Sequence, residues 1–186
     1  MAFHLSAPRL GQTDKRLWRV FAFLVRLLLL SIPLYVVLSL PGILLPLQHI
    51  VAGNSAWILG SAGYAVSQQG IMLTISGAEP FAFIISEDCT AWKSMLLFSA
   101  LVFAVSGVGM RKRVYGILFG LPLIWAGNLV RIWMVVATQQ SYGVDTAMFL
   151  HNILWQAGLI CMVLALWIIW ILKFVPNKEG HIGRFF

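Results

Sequence analysis

Apolar positions in this chain form long unbroken runs. Four of them approach the ~20 residues of helix needed to cross a hydrocarbon layer of about 30 Å. They are Val20 to Leu45, Ala91 to Met110, Val114 to Thr138 and Phe149 to Leu172. The first holds Arg26 near its start, and Pro33 and Pro41 are expected to kink or end it, because proline removes a backbone donor and crowds the preceding turn. The third carries one charge, Arg131. A shorter stretch, Ile50 to Val66, is rich in Gly, Ala and Ser and reads as a helix at the interface or tucked against the bundle. Residues 71–86 differ. Ile71, Leu73 and Ile75 alternate with Met72, Thr74 and Ser76, and Phe81, Phe83 and Ile85 repeat the pattern after Gly77 to Pro80. That is a hairpin signal, with an irregular loop as the alternative. The expected fold is an all-α integral membrane helix bundle of about four transmembrane helices, with an interfacial or re-entrant helix and a short extracytoplasmic hairpin. No repeat or linker interrupts it. A basic segment, residues 1–19, precedes one membrane-embedded domain, residues 20–172, and a basic tail follows, residues 173–186.

Composition agrees, since 60% of the 186 residues are apolar and 10% charged, against about 25% charged in an average soluble domain. The net charge of +7 would suggest nucleic acid in a polar chain, but here its distribution follows the apolar runs, and no nucleic-acid partner is expected. Arg9, Lys15, Arg16 and Arg19 precede the first run, Arg111, Lys112 and Arg113 separate the second and third, and Lys173, Lys178 and Arg184 follow the fourth. Four crossings put all three clusters on one side. Residues 46–90 and 139–150 carry Glu79, Glu87, Asp88 and Asp145 and no Lys or Arg. Because cytoplasmic loops keep the positive charges, both termini are expected in the cytoplasm. The first run is far longer than the 7–15 residues of a signal-peptide core, which argues against cleavage.

With that topology, three polar residues from different runs reach one layer. Cys89 stands at the start of the second run behind Asp88, a plausible N-cap. Arg131 lies roughly 25 Å up the third helix, at 1.5 Å per residue from Val114. His151 opens the fourth run on the same side. Asn128, three residues before Arg131, shares its face of the helix, and a polar stripe on an apolar helix more often faces protein than lipid. The helix N-terminus and Lys93, one turn on, favour a thiolate at Cys89, and Glu87 and Asp88 oppose it. A thiol, an imidazole and a guanidinium together suit acyl transfer, in which a sulfur attacks a carbonyl, a base manages protons and a cation holds the developing oxyanion. Cys161 reads as a packing residue, too far down the fourth run to bridge Cys89. A metal site from Cys89, His151, His49 and Asp145 has no compact ligand spacing, so no metal or cofactor is expected.

These residues resemble the exosortase and archaeosortase group of membrane-embedded cysteine transpeptidases. The resemblance is carried by Asp88-Cys89-Thr90-Ala91-Trp92-Lys93-Ser94, by Gly127-Asn128-Leu129-Val130-Arg131-Ile132 and by His151, in that order along residues 50–172. It implies Cys89 as nucleophile, Arg131 as oxyanion or substrate-orienting group and His151 as the proton-transfer residue, with Asn128, Lys93, Asp88 and Thr90 in binding or supporting roles. Exosortases usually follow the cysteine with Ser-Gly, where this chain has Thr90-Ala91, closer to the Thr-Gly of archaeal relatives. Many members are longer, with about eight spans. The implied partner is a membrane protein substrate with a C-terminal sorting signal, made of a short motif, a transmembrane helix and a basic cluster, cut just outside the lipid bilayer. The competing readings are a small transporter or channel subunit with Arg131 as an anion site, and a scaffold packing partner helices through Gly116, Gly120 and the small residues around Gly107.

Overall fold

The computed structural model describes residues 12–40, 42–77, 80–153 and 157–174. Arg9, Pro41, Glu79, Lys178 and Arg184, which figure in the expectations above, lie outside them. The elements are α1 (Gln12–Leu30), α2 (Ile32–Leu38), α3 (Leu45–Ser61), β1 (Ala65–Gln69), β2 (Met72–Ser76), β3 (Phe81–Ile84), a 3-10 turn (Glu87–Thr90), α4 (Trp92–Ala104), α5 (Met110–Tyr142), α6 (Val144–Ile153) and α7 (Leu159–Phe174). Two layers result, a helical bundle and a cap.

The bundle gathers α1, α4, α5 and α7 around Phe98, Val102, Val105, Ile124, Val163 and Trp170. Its outside is apolar too. Leu28, Leu118 and Leu172 are each more than 60% exposed, a surface suited to lipid and a liability in water. Glycines on α5 set how closely its neighbours approach. A Cβ at Gly116 would stand 2.5 Å from Nε1 of Trp170 on α7, one at Gly127 would meet Met162 Sδ at 2.6 Å, and one at Gly120 would overlap the Phe98 ring of α4. Gly116 and Gly120 are therefore used inside the chain, so of the positions named for the scaffold reading only the small residues around Gly107 stay open to a partner. Gly120→Ala sets a gain in helix propensity of about 1 kcal/mol against overpacking of a fully buried ring, about 1–3 kcal/mol. The clash should win, and a lower melting temperature in detergent is the expected result; a higher one would mean that Phe98 has room to move.

Among the described residues, two helical stretches are long and apolar enough to cross a membrane, Val20–Leu38, which takes in the end of α1 and α2, and Met110–Tyr142. The other two apolar helices are shorter than the sequence runs suggested, at 13 residues for α4 and 16 for α7. Helix α4 stops at Ala104 because the chain turns through Gly107 at φ 75°, and Arg113 returns to satisfy the freed carbonyls. Its Nη1 donates to Phe103 O at 3.1 Å, its Nη2 to Val105 O at 2.8 Å and its Nε to Val108 O at 3.2 Å. Pro33 breaks the first run as expected, sitting in the first turn of α2 just after Ser31. Within the fourth run, α6 reaches Ile153 and α7 starts at Leu159. Trp170 Nε1 donates to Lys112 O at 3.0 Å and Arg26 bonds to Ser106 Oγ in the α4–α5 turn. Arg26, Arg111 to Arg113 and Lys173 thus share one end of the bundle.

The cap lies at the opposite end. With 33 residues, α5 is about 50 Å long, more than a hydrocarbon layer needs. Its distal turns present Leu129, Ile132 and Val136 to α3 and to a sheet, where Val51, Ala52, Leu59, Leu73 and Ile75 are buried. The expected hairpin is present as β2 and β3, joined antiparallel with Leu73 opposite Phe83 and Ile75 opposite Phe81. Leu73 and Ile75 point inward, the phase that their alternation predicts. The expectation of an all-α chain with a lone hairpin is corrected by β1, which pairs with β2 to give the order β1-β2-β3. Gly70, at φ 63°, makes the tight turn between them. Helix α3 is tucked against α5 and the sheet and ends at Ser61, short of the Val66 to which the Gly, Ala and Ser-rich stretch extends.

Candidate active site

Four residues of 3-10 turn separate the sheet from α4, and they carry the cysteine. Thr90 is fully buried and its Oγ1 donates to Glu87 O at 2.7 Å, closing the turn. From the facing side Asn128 Nδ2 donates to the Cys89 carbonyl at 2.6 Å. Asn128 is itself fully buried, so α5 fixes the backbone of the cysteine through a short bond in a dry setting. The thiol is left to project past Ser86, whose Oγ lies 3.3 Å from Cys89 Sγ, either able to donate. Upstream, Gln48 of α3 anchors the loop by donating from Nε2 to Ile85 O at 2.8 Å.

Immediately after the turn Ala91 adopts φ 58° and ψ 8° and serves as N-cap of α4. A left-handed alanine is strained, where a glycine would not be, and it stands where the family it resembles has glycine. Ala91 is also buried, so Ala91→Gly trades relief of strain for a lost methyl contact and should change stability by no more than about 1 kcal/mol. Ala91→Val should cost on the order of 2 kcal/mol, because a β-branched residue is an outlier in that region. Thermal unfolding of the two variants in detergent checks this, and equal melting temperatures would contradict it.

Asp88 does not cap α4. It pairs with Lys93, Oδ1 to Nζ at 2.5 Å, and Lys93 also lies 5.9 Å from the Trp92 ring centroid. The two charges line a separate cavity of about 300 Å³ with Trp92, Ser94, Leu159 and Ile160. The expectation that Lys93 supports a thiolate at Cys89 is therefore corrected: its nearest anion takes it. Sequence position could not decide this, since Lys93 can reach either neighbour from the first turn of the helix.

Cys89, Arg131 and His151 line one cavity of about 210 Å³. Arg131 is 3% exposed. Its guanidinium is within electrostatic reach of the Cys89 thiol, yet Nε, Nη1 and Nη2 have no well-formed hydrogen bond among the described residues. The planar cation thus faces a cavity whose polar lining, Cys89, Ser86, Gln139 and His151, leaves its N–H donors without well-formed bonds, a costly arrangement for a folded chain on its own. His151 is within electrostatic reach of Arg131. It does not open the last transmembrane helix, as its place in the sequence suggested. It sits near the end of α6, which folds back onto α5 after Gly143, at φ 84°. That reversal brings the imidazole back over Arg131, 20 residues earlier in the chain.

The rest of the cavity was not legible as such. Ser86 beside the thiol, Gln139 and Met148 line it, together with Phe81, Phe83 and Ile84 of β3 and Ile132, Val135 and Val136 of α5. Only the i, i+4 spacing of Ile132 and Val136 after Arg131 signalled that this face of α5 turns inward. His49 and Asp145 are exposed and do not line the cavity. Cys161 is exposed on α7 instead of packed, and both cysteines are free. No curated protein and no solved structure matches the chain. The family model described as transmembrane exosortase matches residues 9–171, nearly the whole length, in agreement with the resemblance carried by the Cys89, Asn128–Arg131 and His151 segments, and the chain belongs to the transmembrane exosortase family.

Proposed function

We propose that the protein is a membrane-embedded cysteine protease or transpeptidase that removes the C-terminal sorting tail of secreted or surface proteins at the extracytoplasmic face of the plasma membrane. The observation that carries this reading is the meeting of Cys89, Arg131 and His151, from three separate segments, at one cavity. Cys89 Sγ attacks the scissile carbonyl while His151 takes the thiol proton, and Arg131 donates to the oxygen that becomes negative. The tetrahedral adduct collapses by breaking the C–N bond, His151 returns the proton to the leaving amine, and the released product is the tail. The acyl group stays on sulfur as a thioester. Water or a second nucleophile then attacks it, losing its proton to His151, and the C–S bond breaks to restore the thiol.

The topology supports the same picture. Arg26, Arg111 to Arg113 and Lys173 share the end of the bundle opposite the cavity, and positive charge marks the cytoplasmic side. A substrate helix standing in the bilayer beside the bundle then presents its outer end at the level of Cys89. The test is co-expression with a protein bearing such a tail, whose size is compared between native enzyme and Cys89→Ala. Conversion to the shorter form only with the native enzyme supports the reading; conversion by both removes it.

A further inference from the structure

We infer that the free edge of β3 binds the extended substrate segment that carries the scissile bond, adding it to the sheet as a fourth strand. The inference rests on the tail-cleaving reading above and assigns the peptide-binding surface of that same site. In the order β1-β2-β3, the last strand has a strand neighbour on one side alone among the described residues. Register shows which backbone groups are free. Ile84 pairs with Met72 and Phe83 with Leu73, and Ile85 N–H donates to Ile71 O at 2.9 Å. Hydrogen-bonded positions alternate along an antiparallel pair. Ile85, Phe83 and Phe81 therefore direct their N–H and C=O groups toward β2, and Ala82 and Ile84 direct theirs to the outer edge. Ala82 is exposed and Ile84 is 60% exposed, so this edge is accessible.

The cavity follows that edge. Phe81 and Phe83 project from one face of the strand and Ile84 from the other, yet all three line the space that contains Cys89, Arg131 and His151. Residues of both parities can border one cavity only where it runs along the side of a strand. An extended peptide is the ligand whose unpaired N–H and C=O groups match such an edge. The chain leads from Ile84 through Ser86 into the 3-10 turn that holds Cys89, and all three line the same cavity, so a peptide paired with β3 runs toward the thiol. Phe81, Phe83, Ile132 and Val136 would contact alternate side chains of that segment, which makes them the apolar specificity surface.

Proline tests this, since at Ala82 or Ile84 it removes an outward N–H without touching the bonds to β2. In membranes containing the full chain and a tail-bearing substrate, Ala82→Pro should process at least tenfold more slowly than Ala82→Val, which adds bulk but keeps the N–H. Ile84→Pro should behave likewise against Ile84→Val. Equal rates for folded proline and valine variants would overturn the inference. If the proline variants do not fold, a photoreactive side chain at position 82 in Cys89→Ala enzyme gives a second reading. Cross-linking to the substrate segment at the cut supports edge binding, and cross-linking only from positions on α4 or α7 refutes it. Because this second arm needs no catalysis, its failure is distinct from failure of the tail-cleaving reading, which would show as no Cys89-dependent processing by native enzyme.

Discussion

Cys89→Ser should leave the tail of a co-expressed substrate uncut while the enzyme remains folded in the membrane. The substitution keeps the shape of the side chain and its neighbour Ser86, and it keeps the Asn128 bond, which goes to the backbone carbonyl. What changes is the nucleophile. A hydroxyl holds its proton far more tightly than a thiol and needs a strong, well-aligned base to act. The expected loss is on the order of 10⁴-fold or more in kcat, the scale on which removing a nucleophile acts in other covalent hydrolases. Ser86 is not expected to substitute, since the backbone that Asn128 holds is that of residue 89. Gel mobility of the substrate measures the outcome. Residual processing within tenfold of native would show that the sulfur is not the attacking atom.

Arg131 gives the second large effect, with opposite signs for activity and stability. Its three nitrogens are buried without a well-formed hydrogen bond, and although Cys89 and Asp88 offset part of the charge, burying a cation costs several kcal/mol. Arg131→Met fills similar volume without charge, so it should raise the melting temperature in detergent while lowering processing by at least 10²-fold, the usual effect of removing an oxyanion donor. Arg131→Lys should lose a similar factor, because an ammonium keeps the charge but not the planar fork of donors. A cation that only held the helices together would behave differently: Arg131→Met would then melt earlier, and Arg131→Lys would process normally. The combination of higher stability with lost activity separates a residue waiting for substrate from one that serves the fold.

Much of this site was visible in the chain before any coordinates. Counting residues along a helix that starts at the basic end carries Arg131 to the level of Cys89, because the rise per residue is fixed and basic residues mark one end. The inward phase of Leu73 and Ile75 was readable for the same kind of reason, since strand side chains alternate and one face is apolar. Strand β1 was not readable. Ala65-Val66-Ser67-Gln68-Gln69 has one buried-type side chain and no alternation, and it becomes a strand only because β2 offers it an edge and Gly70 the turn.

The apolar runs, the basic end and the shared level of a thiol, a guanidinium and an imidazole were readable along the chain, because hydrophobic length, charge and helical rise are local properties. Only the tertiary structure decided which neighbours those groups have. Lys93 goes to Asp88 and not to Cys89, Ala91 takes a left-handed turn that frees the cysteine from α4, and α6 folds back after Gly143 to bring His151 over Arg131. Each outcome depends on packing between segments distant in the chain, where several partners lie within reach and the lowest energy is set by all of them together.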